Sequence, residues 1–248
     1  AFDNLNVGDS LSDTFTVESS DGTTTTVQVT INGTNDAATL SSATVSLSET
    51  DAALSTSGTL TISDPDNPES FVAQTNVAGT NGTFSIDANG NWTYDANSAF
   101  DNLNVGDSLS DTFTVESSDG TTTTVQVTIN GTNDAATLSS ETVSLSETDA
   151  ALSTSGTLTI SDPDNPEIFV AQSNVAGTNG TFNIDANGNW TYDANSAFDN
   201  LNVGDSLSDT FTVESSDGTT TTVQVTINGT NDAATLSSAT VSLSETDA

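Results

Sequence analysis

The feature that most constrains this chain is that it repeats itself. The segment AFDNLNVGDSLSDTFTVESSDG begins at Ala1, again at Ala99 and again at Ala197, an offset of 98 residues each time with no insertion or deletion. Aligned copies differ at few positions: Ala43, Glu141 and Ala239; Ser70 and Ile168; Thr75 and Ser173; Ser85 and Asn183. A period this long exceeds one solenoid unit and suits one small autonomous domain. Near-identity argues that every copy does the same job, because separate binding specificities would have driven the copies apart.

Within a copy the apolar residues alternate, with no helical period. Val45 and Leu47 share a face, as do Leu60 and Ile62, and Phe71 to Gln74 reads as a short third strand. Phe84 and Ile86 meet Trp92 and Tyr94 across the turn Asp87–Ala88–Asn89–Gly90. Phe113 and Val115 meet Val125, Val127 and Ile129 across Ser118–Asp119–Gly120. The expectation is an all-β chain of tandem immunoglobulin-like or cadherin-like β-sandwich domains, about seven strands per 98-residue period. Boundaries fall at Asp36, Asp134 and Asp232, inside the three copies of GTNDA. That division gives the C-terminal part of a repeat at 1–36 and complete repeats at 37–134 and 135–232. Residues 233–248 hold the N-terminal strand of a further repeat, so the chain reads either as a window on a longer array or as domains permuted relative to these boundaries.

Charge narrows the function. The chain has 35 Asp and Glu residues and no Lys, Arg or His, a formal charge of −35. A compact protein this acidic repels itself unless counterions gather on it. Nucleic acid is excluded as a partner, since nothing here neutralises a phosphate. Carboxylates and amide carbonyls are hard oxygen ligands, and the expected cofactor is Ca2+. High charge with few aromatics also marks disordered chains. Yet 33% of the residues are hydrophobic and strictly patterned, which argues for a folded chain once calcium is present. Cysteine is absent, so no disulfide staples the domains. No apolar run approaches the ~20 residues of a membrane span, so direct membrane insertion of this segment is not expected.

The carboxylates are not spread evenly. Threading the strands up and down puts Asn35, Asp36, Asp64, Asp66 and Asp119 at the end of a domain where the linker enters. Glu49, Asp51, Asp101 and Asp107 collect at the opposite end, where Asn133 and Asp134 leave. The next copy repeats the pattern with Asp162, Asp164 and Asp217 at entry, then Glu147, Asp149, Asp199, Asp205, Asn231 and Asp232 at exit. Such groups supply the six to eight oxygens that calcium takes. The competing explanation is that Asp and Asn favour turns for local hydrogen-bonding reasons. Familiar calcium loops are absent: Asp64–Pro65–Asp66–Asn67–Pro68 lacks the Gly and distal Glu of an EF-hand. The Asn-x-Thr sequons at Asn32, Asn81 and Asn91 read as turns.

The segments VTINGTNDA, GTFSIDANGNWTY and LSDTFTVESSDG resemble the VCBS repeat of giant bacterial surface proteins, including RTX-type adhesins and biofilm proteins. The resemblance spans each 98-residue copy. It implies secreted, extracellular, calcium-rigidified extender domains that hold an adhesive tip away from the cell. Ala follows Asn-Asp-Ala here where that family often has Pro, which implies a less stiff linker. The pattern is also similar to cadherin linkers, in which a Glu ending the first strand, an Asp-x-Asp loop and an Asn-Asp linker cooperate. Glu49, Asp162, Asp164, Asn133 and Asp134 match in type and order, but the cadherin Asp-Arg-Glu motif has no counterpart.

The leading functional expectation is therefore a calcium-stabilised structural spacer on the bacterial cell surface. Its partners are neighbouring repeats of the same chain or other copies in a fibre or biofilm matrix. One alternative is a sugar- or protein-binding module anchored on Trp92; another is a filament subunit completed by strand exchange. Catalysis is disfavoured, because triads, thiol chemistry and Schiff bases need residues this chain lacks.

Overall fold

A computed structural model describes residues 2–245. The chain divides into two compact units, Ala1–Asn133 and Asp134–Ala248. All regular structure among the described residues is strand. The first unit opens with the antiparallel hairpin β1 (Ser10–Glu18) and β2 (Thr24–Asn32). One whole repeat follows: β3 (Thr39–Leu40), β4 (Ala43–Ser48), β5 (Ser55–Thr59), β6 (Ile62–Ser63), β7 (Gln74–Ala78), β8 (Gly82–Ile86), β9 (Asn91–Ala96), β10 (Ser108–Glu116) and β11 (Thr122–Asn130). The second unit repeats these elements as β12 (Thr137–Leu138), β13 (Glu141–Ser146), β14 (Ser153–Thr157), β15 (Ile160–Ser161), β16 (Gln172–Ala176), β17 (Gly180–Ile184), β18 (Asn189–Ala194), β19 (Ser206–Glu214) and β20 (Thr220–Asn228).

Each repeat is a sandwich of a three-stranded sheet, β10-β11-β4, and a four-stranded sheet, β5-β9-β8-β7. Counting β3 with β4 and β5 with β6 gives the seven strands expected. The first strand is broken because it changes sheets. β3 pairs with β6, and then β4 runs parallel to β11, setting Val45 beside Val127 and Leu47 beside Ile129. Ser41 makes the change possible by satisfying the freed backbone: its N–H donates to Thr61 O and its hydroxyl accepts the Thr61 N–H at 2.8 Å.

The expected third strand moves. Phe71 forms only an isolated bridge with Ser117, and β7 begins at Gln74. The reason is that Val72 N–H donates to Glu116 O, tying this segment to β10 before the chain reaches β8. A bulge then bends β7 between Gln74 and Val77, with Asn76 at φ 51° and its N–H held by Ser85 Oγ.

Period-2 alternation explains the core. Along β10 and β11, Phe113, Val115, Val125, Val127 and Ile129 point inward, while Ser and Thr alternate outward. From the facing sheet come Phe84, Ile86, Trp92 and Tyr94, and Phe84 stacks on Phe113 with ring centres 4.7 Å apart. Gly82 lets Tyr94 lie flat on the backbone, since a Cβ there would sit 2.4 Å from its ring. Trp92 and Tyr94 are 2% and 1% exposed, so they are core and offer no sugar platform.

Sequence alone does not bury these faces. β1 repeats the SLSDTFTVE of β10, yet Phe15 is 55% exposed where Phe113 is 5%, because no four-stranded sheet covers that hairpin among the described residues. Residues 233–245 likewise form no strand, although 239–244 repeat the ATVSLS of β4. The next three residues lie outside the described part of the chain.

Candidate metal centre

At the entry end of the first unit, the loop after β6 wraps around Asp64. Its Oδ1 accepts the N–H groups of Asp66 and Asn67, at 3.1 and 2.8 Å. Its Oδ2 is buried with no hydrogen-bond partner. Asp66 Oδ2 accepts the N–H of linker residue Asp36 at 3.2 Å, and Asp119 Oδ2 accepts the N–H of Ala38 at 2.9 Å. The linker thus meets the Asp-Pro-Asp loop and the last hairpin turn at one end of the domain, the grouping that the order of strands implies. The second unit repeats it: Asp164 accepts from Asp134 N–H, Asp217 from Ala136 N–H, and Asp162 Oδ1 from Asp164 and Asn165. Asp162 Oδ2 is again buried without a partner.

Two environments split these acids by charge. Hydrogen bonds, first from the Ser117 hydroxyl, hold the Asp119 carboxyl well below the ordinary carboxylate range. Burial opposes the same effect at Asp217, but the donors Ser215, Thr219 and Ala136 outweigh it. Burial pushes Asp164 up, helped by neighbouring Asp162.

The exit ends centre on a buried glutamate. Glu49 is 1% exposed and Glu147 is 2% exposed, and each directly follows the strand that runs parallel to the last strand of its own repeat. Glu49 Oε1 accepts the N–H and hydroxyl of Thr132, and Glu147 Oε1 those of Thr230. The second oxygen of each, Oε2, is buried and unpartnered. Glu49 and Asp101 bring carboxylate oxygens within 4.8 Å of each other. In the second unit Glu147, Asp149, Asn231 and Asp232 line an open cleft. Lost hydration, then the charges of Glu147, Asp199 and Asp149, push the Asp232 carboxyl above its ordinary range.

Three positions do not join these groups. Asp107 and Asp205 close their own turns by accepting the N–H of Asn104 and Asn202, at 3.3 and 3.0 Å. Asp51 is solvent-exposed. Sequence reading missed Thr132, Thr230, Asn6 and Asn67. The Asn6 amide donates to Asp66 O and Asn67 Oδ1, and Asn67 donates to Asn35 Oδ1 at 2.8 Å. The only signal was their recurrence in each copy, which every residue here shares.

A carboxylate with one oxygen saturated and the other dry and unpaired is costly unless a cation completes it. The donor set, all hard oxygen, fits calcium and excludes the soft metals that seek sulfur or imidazole.

Tandem β-sandwiches with acidic residues gathered at their linker ends define a cadherin-like class of domain. The chain belongs to the bacterial cadherin-like domain family, whose model matches residues 35–131 and 133–229. Domains of this class are structural and adhesive modules. No curated protein sequence matches the chain. Among solved structures, a protocadherin gammaB7 EC3-6 cis-dimer is 12% identical, covering 90% of this chain and 57% of that one, with a TM-score of 0.45. The protocadherin gammaB4 extracellular domain is 13% identical over 88% of this chain and 42% of that one, with a TM-score of 0.46. Mouse cadherin-23 EC22-24 is 13% identical over 89% of this chain and 74% of that one, with a TM-score of 0.40. The chain thus spans about half the length of the first two. No described helix is long and apolar enough to cross a membrane.

Proposed function

We propose that this chain is a calcium-stabilised extender from a large extracellular bacterial adhesin or surface fibre, of the VCBS type, that supports adhesion or biofilm formation. The observation that carries the reading is the buried Glu49 and Glu147, each with an unpartnered Oε2 beside further carboxylates. The proposed ligands are Glu49 and Asp101 at the exit end of the first unit and, separately, Asp134, Asp162 and Asp164 at the entry end of the second, with their counterparts in the other copies. Calcium bound there neutralises the repulsion that a charge of −35 imposes and holds the linker residues in place. Near-identical copies suit a part whose task is length. The role is structural and not catalytic.

The test is a thermal melt and a hydrodynamic length of this chain, first in EDTA and then in millimolar calcium. The expected result is a large rise in melting temperature with a longer, stiffer particle. If neither quantity responds, the acidic ends are ordinary solvated loops and the calcium reading is wrong.

A further inference from the structure

Asn67 faces the entry-end oxygens in an unusual way. Its side-chain amide donates to Asn35 Oδ1 at 2.8 Å and to Asp66 Oδ1 at 3.1 Å, while its own Oδ1 accepts from the Asn6 amide. Asp66 is among the residues proposed above as ligands, and in the same loop Asp64 Oδ2 is buried with no hydrogen-bond partner. The second unit shows the same donation, from Asn165 to Asp164 Oδ1 at 3.0 Å. An amide NH2 is the only side-chain donor of two protons available in a chain without Lys, Arg or His, apart from Gln. It therefore stands where positive charge is wanted.

We infer that Asn67 and Asn165 set the calcium affinity of the entry ends by acting as internal stand-ins for the cation. In the metal-free protein they hold the linker and loop oxygens together against repulsion. Cation binding competes with those donations for the same oxygens, and a donation is lost wherever the metal takes the lone pair that the N–H holds. This inference rests on the calcium reading above. It goes further in assigning an affinity-lowering, order-preserving role to residues that are not themselves among the proposed ligands.

Linkage gives the test its sign. A contact present only without metal stabilises the metal-free state alone, so removing it must tighten metal binding by the same factor. The experiment compares wild type with Asn67→Ala/Asn165→Ala and with Asn67→Asp/Asn165→Asp, using calcium titration calorimetry and melts in EDTA and in saturating calcium. The Ala pair is expected to melt lower in EDTA, to melt like wild type in calcium, and to bind calcium ~5-fold tighter, equivalent to one net hydrogen bond per site. The Asp pair, which also adds charge, is expected to bind at least as tightly and to be less stable without metal. Equal loss of melting temperature with and without calcium, at unchanged or weaker affinity, overturns the inference and leaves the calcium reading intact. A wild-type chain silent to calcium overturns both.

Discussion

Trp190 donates its indole N–H to Glu141 Oε2 at 2.8 Å, whereas the equivalent Trp92 Nε1 is buried with no acceptor. The cause is one of the few differences between copies, Ala43 in place of Glu141. A Glu at 43 lies on β4 where Glu141 lies on β13, in the same register against the last strand. Ala43→Glu is therefore expected to stabilise its repeat by about 1 kcal/mol, and Glu141→Ala to destabilise the other by a similar amount. Trp fluorescence melts, with the other Trp replaced by Phe, assign each change to its own repeat.

Glu147→Gln separates metal binding from folding. Gln keeps an Oε1 acceptor for Thr230 and removes one of the charges that act on Asp232. The melting temperature in EDTA is expected to hold or rise. Calcium affinity at that end is expected to fall at least ~10-fold, or ~1.4 kcal/mol, read by calorimetry.

Acid acts in opposite directions on the two groups of carboxylates. The folded-state pKa of Asp164 and Asp232 is raised, so the stability from holding their protons is present at low pH and is lost as pH rises through the folded value. That of Asp119 and Asp217 is lowered, so their stability is present above the ordinary carboxylate pKa and is lost as pH falls below it. In EDTA, melting temperature is expected to rise as pH falls through the raised values of Asp164 and Asp232, above the ordinary carboxylate range, and to fall once pH drops below that range. Calcium stabilisation is expected to weaken over the upper part of that span, because protons compete for Asp164 and Asp232. Melts across pH with and without calcium check both.

Asp111 is a structural acid. It is buried and accepts the N–H groups of Thr80 and Asn81, the Asn81 amide and the Tyr94 hydroxyl, tying the β7–β8 turn to β10. Burial, and then that contact, push the Tyr94 phenol well up. Asp111→Ala leaves those donors unpaired and is expected to cost about 3 kcal/mol, with no change in calcium affinity. Urea melts and calorimetry measure the two quantities.

Much of the fold was legible because hairpins are local. Asp87 Oδ1 accepts the N–H groups of Asn89 and Asn91, and Gly90 takes φ 83°, so this turn and its flanking strands follow from a few adjacent residues. The entry cluster was legible too, since counting strands tells which loops share an end. The exit cluster was legible only in part. Asp107 was grouped with Glu49 by loop threading, but its carboxylate closes the turn at Asn104, a local competition that a threading cannot weigh. The break of the first strand, the late start of β7 and the Asn6–Asn67 contact depend on partners 20 to 61 residues away, and no local pattern announces them.

By itself the sequence determined the 98-residue period, the alternation that makes strands, the turns and the excess of negative charge, all properties of neighbours along the chain. Tertiary structure decided which faces are buried and which oxygens are left dry. Phe15 and Phe113 share one local sequence and differ tenfold in exposure, 55% against 5%, because burial belongs to the sheet that packs opposite. Glu49 becomes a candidate ligand for the same reason: the parallel pairing of β4 with β11 carries it into the interior, where Thr132 satisfies one oxygen and no hydrogen-bond donor among the described residues satisfies the other.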